Sequence, residues 1–153
     1  MPLGYFHFLQ LRLKLRYWTR PLSWLVQLNL PLKSWPEWSW VLIGEEREGQ
    51  KNPLVAELRT LPNVHFLGYK PYAKLPDYLR GRQVGLLPSL INDYTRGMFP
   101  MKYYEYLAAG LPVVATPLDF IRACRNVPAC GEGGAEFVAA IARELGAVRT
   151  KEA

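Results

Sequence analysis

The sequence is poor in residues that bind metals or form cross-links. It has two cysteines, Cys124 and Cys130, and two histidines, His7 and His65. Two cysteines are too few for a disulfide framework. Both are expected to be reduced, in a cytoplasmic protein. The histidines lie far from the cysteines in sequence, so no metal-ligand cluster is indicated. No Asp-x-Asp triplet occurs, which argues against a dedicated divalent-metal clamp. No cofactor is expected. No apolar run approaches the roughly 18 residues of a membrane span. The start lacks a signal-peptide layout: basic residues interrupt its apolar stretch, and no small-residue cleavage site follows. Acid is missing from residues 1–36, which carry Arg12, Lys14, Arg16, Arg20 and Lys33. The chain's net charge is +6, so the other 117 residues supply only +1. The basic character therefore belongs to one segment. A solvated edge explains it, as does peripheral contact with an anionic membrane surface. Nucleic acid is not an expected partner.

What is present is a chain of 153 residues, half of them hydrophobic and 21% charged. That composition describes a folded domain with a real core. Three stretches stand out: a basic, tryptophan-rich segment over 1–36, a body over 37–147, and a tail over 148–153. Within the body, strand and helix signals alternate. Strands are expected at Trp40–Ile43, Val64–Leu67, Val84–Leu87 and Val113–Ala115, with a weaker one at Asn126–Ala129. Helices are expected over Pro53–Leu61, Tyr72–Leu79, 101–109 and Ala135–Leu145. Their inner faces are Leu54, Val55, Leu58 and Leu61, then Leu75, Tyr78 and Leu79, then Phe137, Val138, Ile141 and Leu145. Short apolar strands separated by helices indicate a parallel sheet covered on both faces. The fold class is α/β, a doubly wound Rossmann-like sheet. Ligands then bind beyond the strands' carboxyl ends, at Gly44–Gly49, Gly68–Lys70 and Pro88–Phe99. The first 36 residues fit this less well. Leu3–Phe6 reads as an initial strand, yet Leu9 to Leu15 alternates with period two, the pattern of a half-buried strand, where a helix is due.

The densest information lies in Phe99–Thr116. Pro100 suits the first helical position. Gly110 suits the C-cap, and Pro112 prevents continuation. Lys102 and Glu105 share one face of the helix. A cation near a helix N-terminus opposes the dipole, so propensity does not explain Lys102. A phosphate lying between the two would. Glu105 is then placed to accept hydrogen bonds from a ligand hydroxyl.

Four pieces in fixed order carry a family likeness: Pro62-Asn63-Val64-His65-Phe66-Leu67-Gly68-Tyr69, Leu75-Pro76-Asp77-Tyr78-Leu79, Val84-Gly85-Leu86-Leu87-Pro88-Ser89, and the Lys-x-x-Glu helix with Ala108-Ala109-Gly110-Leu111-Pro112-Val113-Val114-Ala115-Thr116. Together they resemble the carboxyl-terminal, donor-binding domain of GT-B glycosyltransferases of the family 4, group 1 type. The resemblance implies a nucleoside-diphosphate sugar, UDP- or GDP-linked, as donor and substrate. It implies retention of anomeric configuration and a glycan or lipid-linked acceptor held by a separate amino-terminal domain. That domain is not in this sequence, which reads as a truncated chain. By the same resemblance Glu105 meets the ribose hydroxyls and Lys102 the pyrophosphate. Gly68, Tyr69 and Lys70 pass near the base, and Arg96, Gly97, Met98 and Phe99 face the sugar and phosphates. No catalytic residue is assigned.

The sequence also departs from the family pattern. A Glu-x7-Glu pair would put its first carboxylate at Gly97, leaving Asp93 as the nearby acid. The glycine-rich turn after the first strand is missing, and the usual Arg/Lys pair cannot be placed. Two other readings stand beside transfer: a sugar-nucleotide epimerase, and a non-catalytic module binding membrane or nucleic acid through residues 1–36.

Overall fold

The computed structural model describes residues 7–12, 33, 35–44, 53–89, 91–124, 129–131 and 133–152. Along the chain these form β1 (His7–Arg12), β2 (Trp38–Ile43), α1 (Pro53–Leu58) and β3 (Val64–Phe66). A 3-10 turn (Tyr72–Lys74) then runs into α2 (Leu75–Leu79), followed by β4 (Val84–Leu87), α3 (Asp93–Arg96) and α4 (Met101–Ala108). The remainder is β5 (Val113–Ala115), α5 (Asp119–Ala123), β6 (Ala129–Cys130) and α6 (Gly134–Glu152).

The six strands form one sheet in the order β3-β2-β1-β4-β5-β6, and every pairing is parallel. This is the doubly wound dinucleotide-fold order, with its switch point between β1 and β4. The expected α/β class is therefore the observed one. β1 bears out the strand reading of the alternating stretch over Leu9–Arg12, where a helix was due by βαβ order. The alternating stretch begins inside the sheet's central strand, at His7–Arg12, with Leu9 and Leu11 in register with Trp40 and Leu42. Parallel central strands normally read as unbroken apolar runs, and this one alternates. The expected strand at Leu3–Phe6, and Leu13–Leu15, lie outside the described residues. So do Lys14, Arg16 and Arg20 and the strand positions Asn126–Pro128.

Two cores separate the helices from the sheet. On one face Trp40, Leu42, Val84, Leu86 and Val114 pack against Val55 and Leu58 of α1 and Phe137, Ala140, Ile141 and Leu145 of α6. On the other, Leu87, Val113 and Ala115 pack against Leu79, Tyr103, Tyr106 and Ile121. There Leu75 also covers Val41 and Ile43. α6 runs to Glu152, well past the expected end at Leu145 and through most of the expected tail. His65 is exposed on the edge strand β3.

Two glycines are fixed by close packing. A Cβ on Gly85 would lie 2.5 Å from Tyr106 Cδ2 and 2.6 Å from its Cγ. A Cβ on Gly131 would lie 2.3 Å from the Phe137 backbone nitrogen. Within the glycine-rich stretch, Gly131 is thus explained by strand-to-helix packing.

Gly85→Ala should cost about 1–3 kcal/mol by overpacking Tyr106. Gly146→Ala, on α6 with nothing near its added Cβ, should be neutral or stabilising by about 0.4–1 kcal/mol. Urea midpoints at constant m-value check both.

Candidate donor-binding site

The loop after β4 is held by buried polar groups. The Ser89 N–H donates to Thr116 Oγ1 at 2.8 Å, tying the carboxyl end of β4 to that of β5. Both residues are buried. Three residues on, Asn92 and Thr95 form a capping box: Asn92 N–H donates to Thr95 Oγ1 at 2.9 Å, and Thr95 N–H to Asn92 Oδ1 at 3.0 Å. Thr95 is fully buried. The expected long loop 88–99 therefore contains a helical turn, α3, presenting Asp93 and Arg96 outward. Their ion pair is 3.8 Å long and solvent-exposed, so it contributes little to stability.

α4 follows with Pro100 at its N-cap rather than its first helical position. Its first turn has neither a side-chain cap nor an acid. Its far end closes in a Schellman motif: Leu111 N–H donates to Tyr106 O, and Gly110 N–H to Leu107 O, both at 2.9 Å. Gly110 takes φ +75°, as its C-cap role requires. Tyr103 and Tyr106 are buried against the sheet, which sets the roll of the helix. Lys102, Glu105 and Ala109 then fall within about 60° of arc on one flank, at 100° per residue. Tyr104 and Leu107 take the other. Tyr104 and Phe99 stack with ring centroids 5.6 Å apart, and Phe99 lies 4.4 Å from Phe120 of α5.

The Glu105 flank opens on a slot. A cavity of about 500 Å³ lies between α4 and the Tyr72–Arg80 segment, lined by Tyr72, Ala73, Leu75, Pro76, Leu79, Arg80, Glu105, Ala108 and Ala109. That volume is within the range of small-molecule sites. Both walls leave the carboxyl end of one parallel strand and return to the amino end of another, so they run side by side in the same direction. Glu105 and Arg80 are the charged groups among the lining residues, and the rest of the lining is mainly apolar.

A profile of the family described as "Glycosyl transferases group 1" matches residues 15–145. The chain belongs to the group 1 glycosyl transferases. Among them it is 29% identical over 131 residues to TuaH of Bacillus subtilis (strain 168), a protein named for glycosyl transfer in teichuronic acid biosynthesis. That match covers 72% of this chain and 32% of TuaH, so the chain spans about a third of the relative's length. In fold it is similar to the crystal structure of a GtfA/B complex, with a TM-score of 0.57 at 14% identity. The likeness covers 94% of this chain and 29% of that one.

The slot of this group 1 chain gathers only part of the expected site. Glu105 lines it, and Lys102 shares its flank at the open end. Gly68 takes φ +66° and spends its carbonyl on the Gly44 N–H at 2.9 Å. Tyr69 is exposed. The Lys70 ammonium sits 5.6 Å from the centre of the Tyr78 ring. Gly97 and Arg96 are exposed, and Met98 packs into the core beneath α4. Phe99 turns away from the slot, because its ring is engaged with Tyr104 and Phe120. None of these seven residues is among those lining the cavity. The sequence reading missed the Tyr72–Arg80 wall as a site, since Leu75 and Leu79 also carry the core pattern. The groups with shifted acidity lie elsewhere: burial pushes up the Tyr103 phenol, with a Cys124 hydrogen bond adding to it. Burial also raises the Cys130 thiol and lowers the Arg82 guanidinium.

Removing the Thr116 hydroxyl leaves the Ser89 N–H buried without its acceptor. Thr116→Val should cost about 1–3 kcal/mol, and Thr116→Ser should retain most of that stability. Thermal and urea unfolding of the two variants compare them directly.

Proposed function

We propose that this chain is the donor-binding part of a glycosyltransferase that takes a nucleoside-diphosphate sugar. The observation that carries the reading is the flank of α4, where Lys102 and Glu105 lie one turn apart beside a cavity of about 500 Å³. The diphosphate lies at the uncapped N-terminus of α4, near Lys102. The ribose hydroxyls donate to Glu105. The departing nucleoside diphosphate gathers charge on its phosphate oxygens during transfer. A fixed cation and oriented helix N–H groups stabilise that charge without reorganising. This device needs no metal clamp, in keeping with a sequence that has no Asp-x-Asp.

Transfer with retention to a glycan or lipid-linked saccharide follows from the family resemblance. The relative named for teichuronic acid biosynthesis supports an envelope polysaccharide as the product class. A cytoplasmic site, with peripheral contact at the inner membrane face, suits such an acceptor. The acceptor belongs to a separate domain, so the chain alone binds donor without turning it over.

Hydrogen bonds to a carboxylate are worth about 1.5–3 kcal/mol each. Glu105→Ala should therefore weaken nucleotide binding by roughly 2–4 kcal/mol. Ligand-detected NMR with UDP, GDP and their sugar conjugates measures this. Equal affinity in both proteins rejects the ribose assignment.

A further inference from the structure

Cys124 and Cys130 line no part of the cavity, and the donor reading makes no use of them. Cys124 closes the carboxyl end of α5, and Cys130 is the last residue of β6. We propose that the fold holds these two thiols together as an oxidation site, which a small-molecule disulfide closes into a Cys124–Cys130 disulfide.

Strand register aims one thiol at the other. Cys130 is in register with Ala115 across the β5–β6 pairing. Residues in register share a face of the sheet. Ala115 faces the core that holds Ile121 of α5, and both cysteines pack against that core, half-buried. Their backbones are pinned on either side. Cys124 N–H donates to Ile121 O at 3.2 Å, and Gly131 N–H to Ala115 O at 3.4 Å. Tyr103 of α4 meets the pair from the same core. A hydrogen bond joins its phenol to the Cys124 thiol, and both sulfurs are near enough to act on its acidity. The Cys124 thiol donates its one hydrogen to Phe120 O at 3.3 Å, so the hydrogen shared with Tyr103 is the phenol's.

The thiolate is the reacting form. Burial pushes the Cys130 thiol up, and the Arg122 and Arg143 guanidiniums oppose it only in part. The pair therefore rests as thiols. Once a thiolate forms, it attacks one sulfur of the small disulfide. A mixed disulfide results, and one small thiolate leaves. The second cysteine then gives up its proton and attacks the protein sulfur of that mixed disulfide, expelling the other small thiolate. The two protons end on the two small thiols. Two protein thiols are oxidised and one small disulfide is reduced, so the electrons balance. Closure takes the Cys124 hydrogen away from Phe120 O and fastens the end of α5 to the edge strand β6.

The test equilibrates the whole chain in buffers of reduced and oxidised glutathione at graded ratios, once folded and once in concentrated urea. Acid quenching and intact mass then count the products. Folded wild type should lose two hydrogen atoms and carry no glutathione, and a peptide map should join Cys124 to Cys130. A fold that holds the thiols together closes them against more reducing buffer. The ratio of reduced glutathione squared to oxidised glutathione at half-closure should be about tenfold higher folded than unfolded. By linkage, the oxidised chain should show the higher urea midpoint. Cys124→Ser and Cys130→Ser should each retain one glutathione as a mixed disulfide, because the resolving thiol is gone. Half-closure at an equal or lower ratio in the folded chain overturns the inference. So do two glutathiones on wild type, or disulfides between chains. Should either serine variant fail to fold, the comparison of folded with unfolded wild type decides by itself.

Discussion

The Tyr106 ring lies on Gly85, and the geometry of the site depends on that contact. No other residue at position 85 lets the ring approach β4 so closely, because a Cβ there would come within 2.5 Å of it. With Tyr106 and Tyr103 both buried, α4 has one allowed roll on the sheet. That roll turns Glu105 toward the Tyr72–Arg80 wall. A rotation of one residue, 100°, would carry Glu105 out of the slot and bring Tyr104 toward it. The chemistry of the flank is thus set by packing on the opposite side of the helix. The Schellman closure at Gly110 fixes the same helix along its axis, since it delivers Leu111 into the core beside Tyr106.

Buried polar groups do the corresponding work for the loop. Ser89, Thr95 and Thr116 are buried together near the carboxyl ends of β4 and β5. A buried hydroxyl costs free energy unless it is hydrogen-bonded, and those of Thr95 and Thr116 are. Their bonds tie Ser89 to Thr116 and close the first turn of α3. A ligand that meets an ordered loop does not have to supply its ordering entropy. The uncapped start of α4 has the opposite character. Its first turn gains nothing from an acid and carries Lys102 instead, an arrangement costing about 0.3–1 kcal/mol against the dipole. An anion bound there turns that cost into attraction.

Most of the sheet was legible because its strands are short apolar runs between helix-period segments. Val84–Leu87 and Val113–Ala115 are observed at their expected bounds. β1 was harder to read, since Gln10 and Arg12 interrupt an apolar strand at the centre of the sheet. α3 and α5 were not read at all; helices of four and five residues are too short to show a period. The helix that carries Glu105 was legible because it has its own start, stop and spacing. The slot was not. Tyr72 and Arg80 lie far from Glu105 in sequence, and only the strand order brings the two segments alongside. Phe99 shows the complementary failure. Its place in the chain, beside Lys102, suggested the ligand, but its ring is satisfied by Tyr104 and Phe120.

In the proposed donor reading, recognition of a nucleotide divides among three kinds of structure. A helix end and a lysine meet charge, a carboxylate meets hydroxyls, and an apolar cleft meets a ring. The first two stand on α4 alone and were visible as local sequence. The third needs two helices from different crossovers, so it exists only once the sheet order is fixed. The cleft therefore depends on sheet packing in a way that the start of α4 does not. Tyr72 and Arg80 supply the polar side chains of the wall that faces Glu105, and both reach it only through that order.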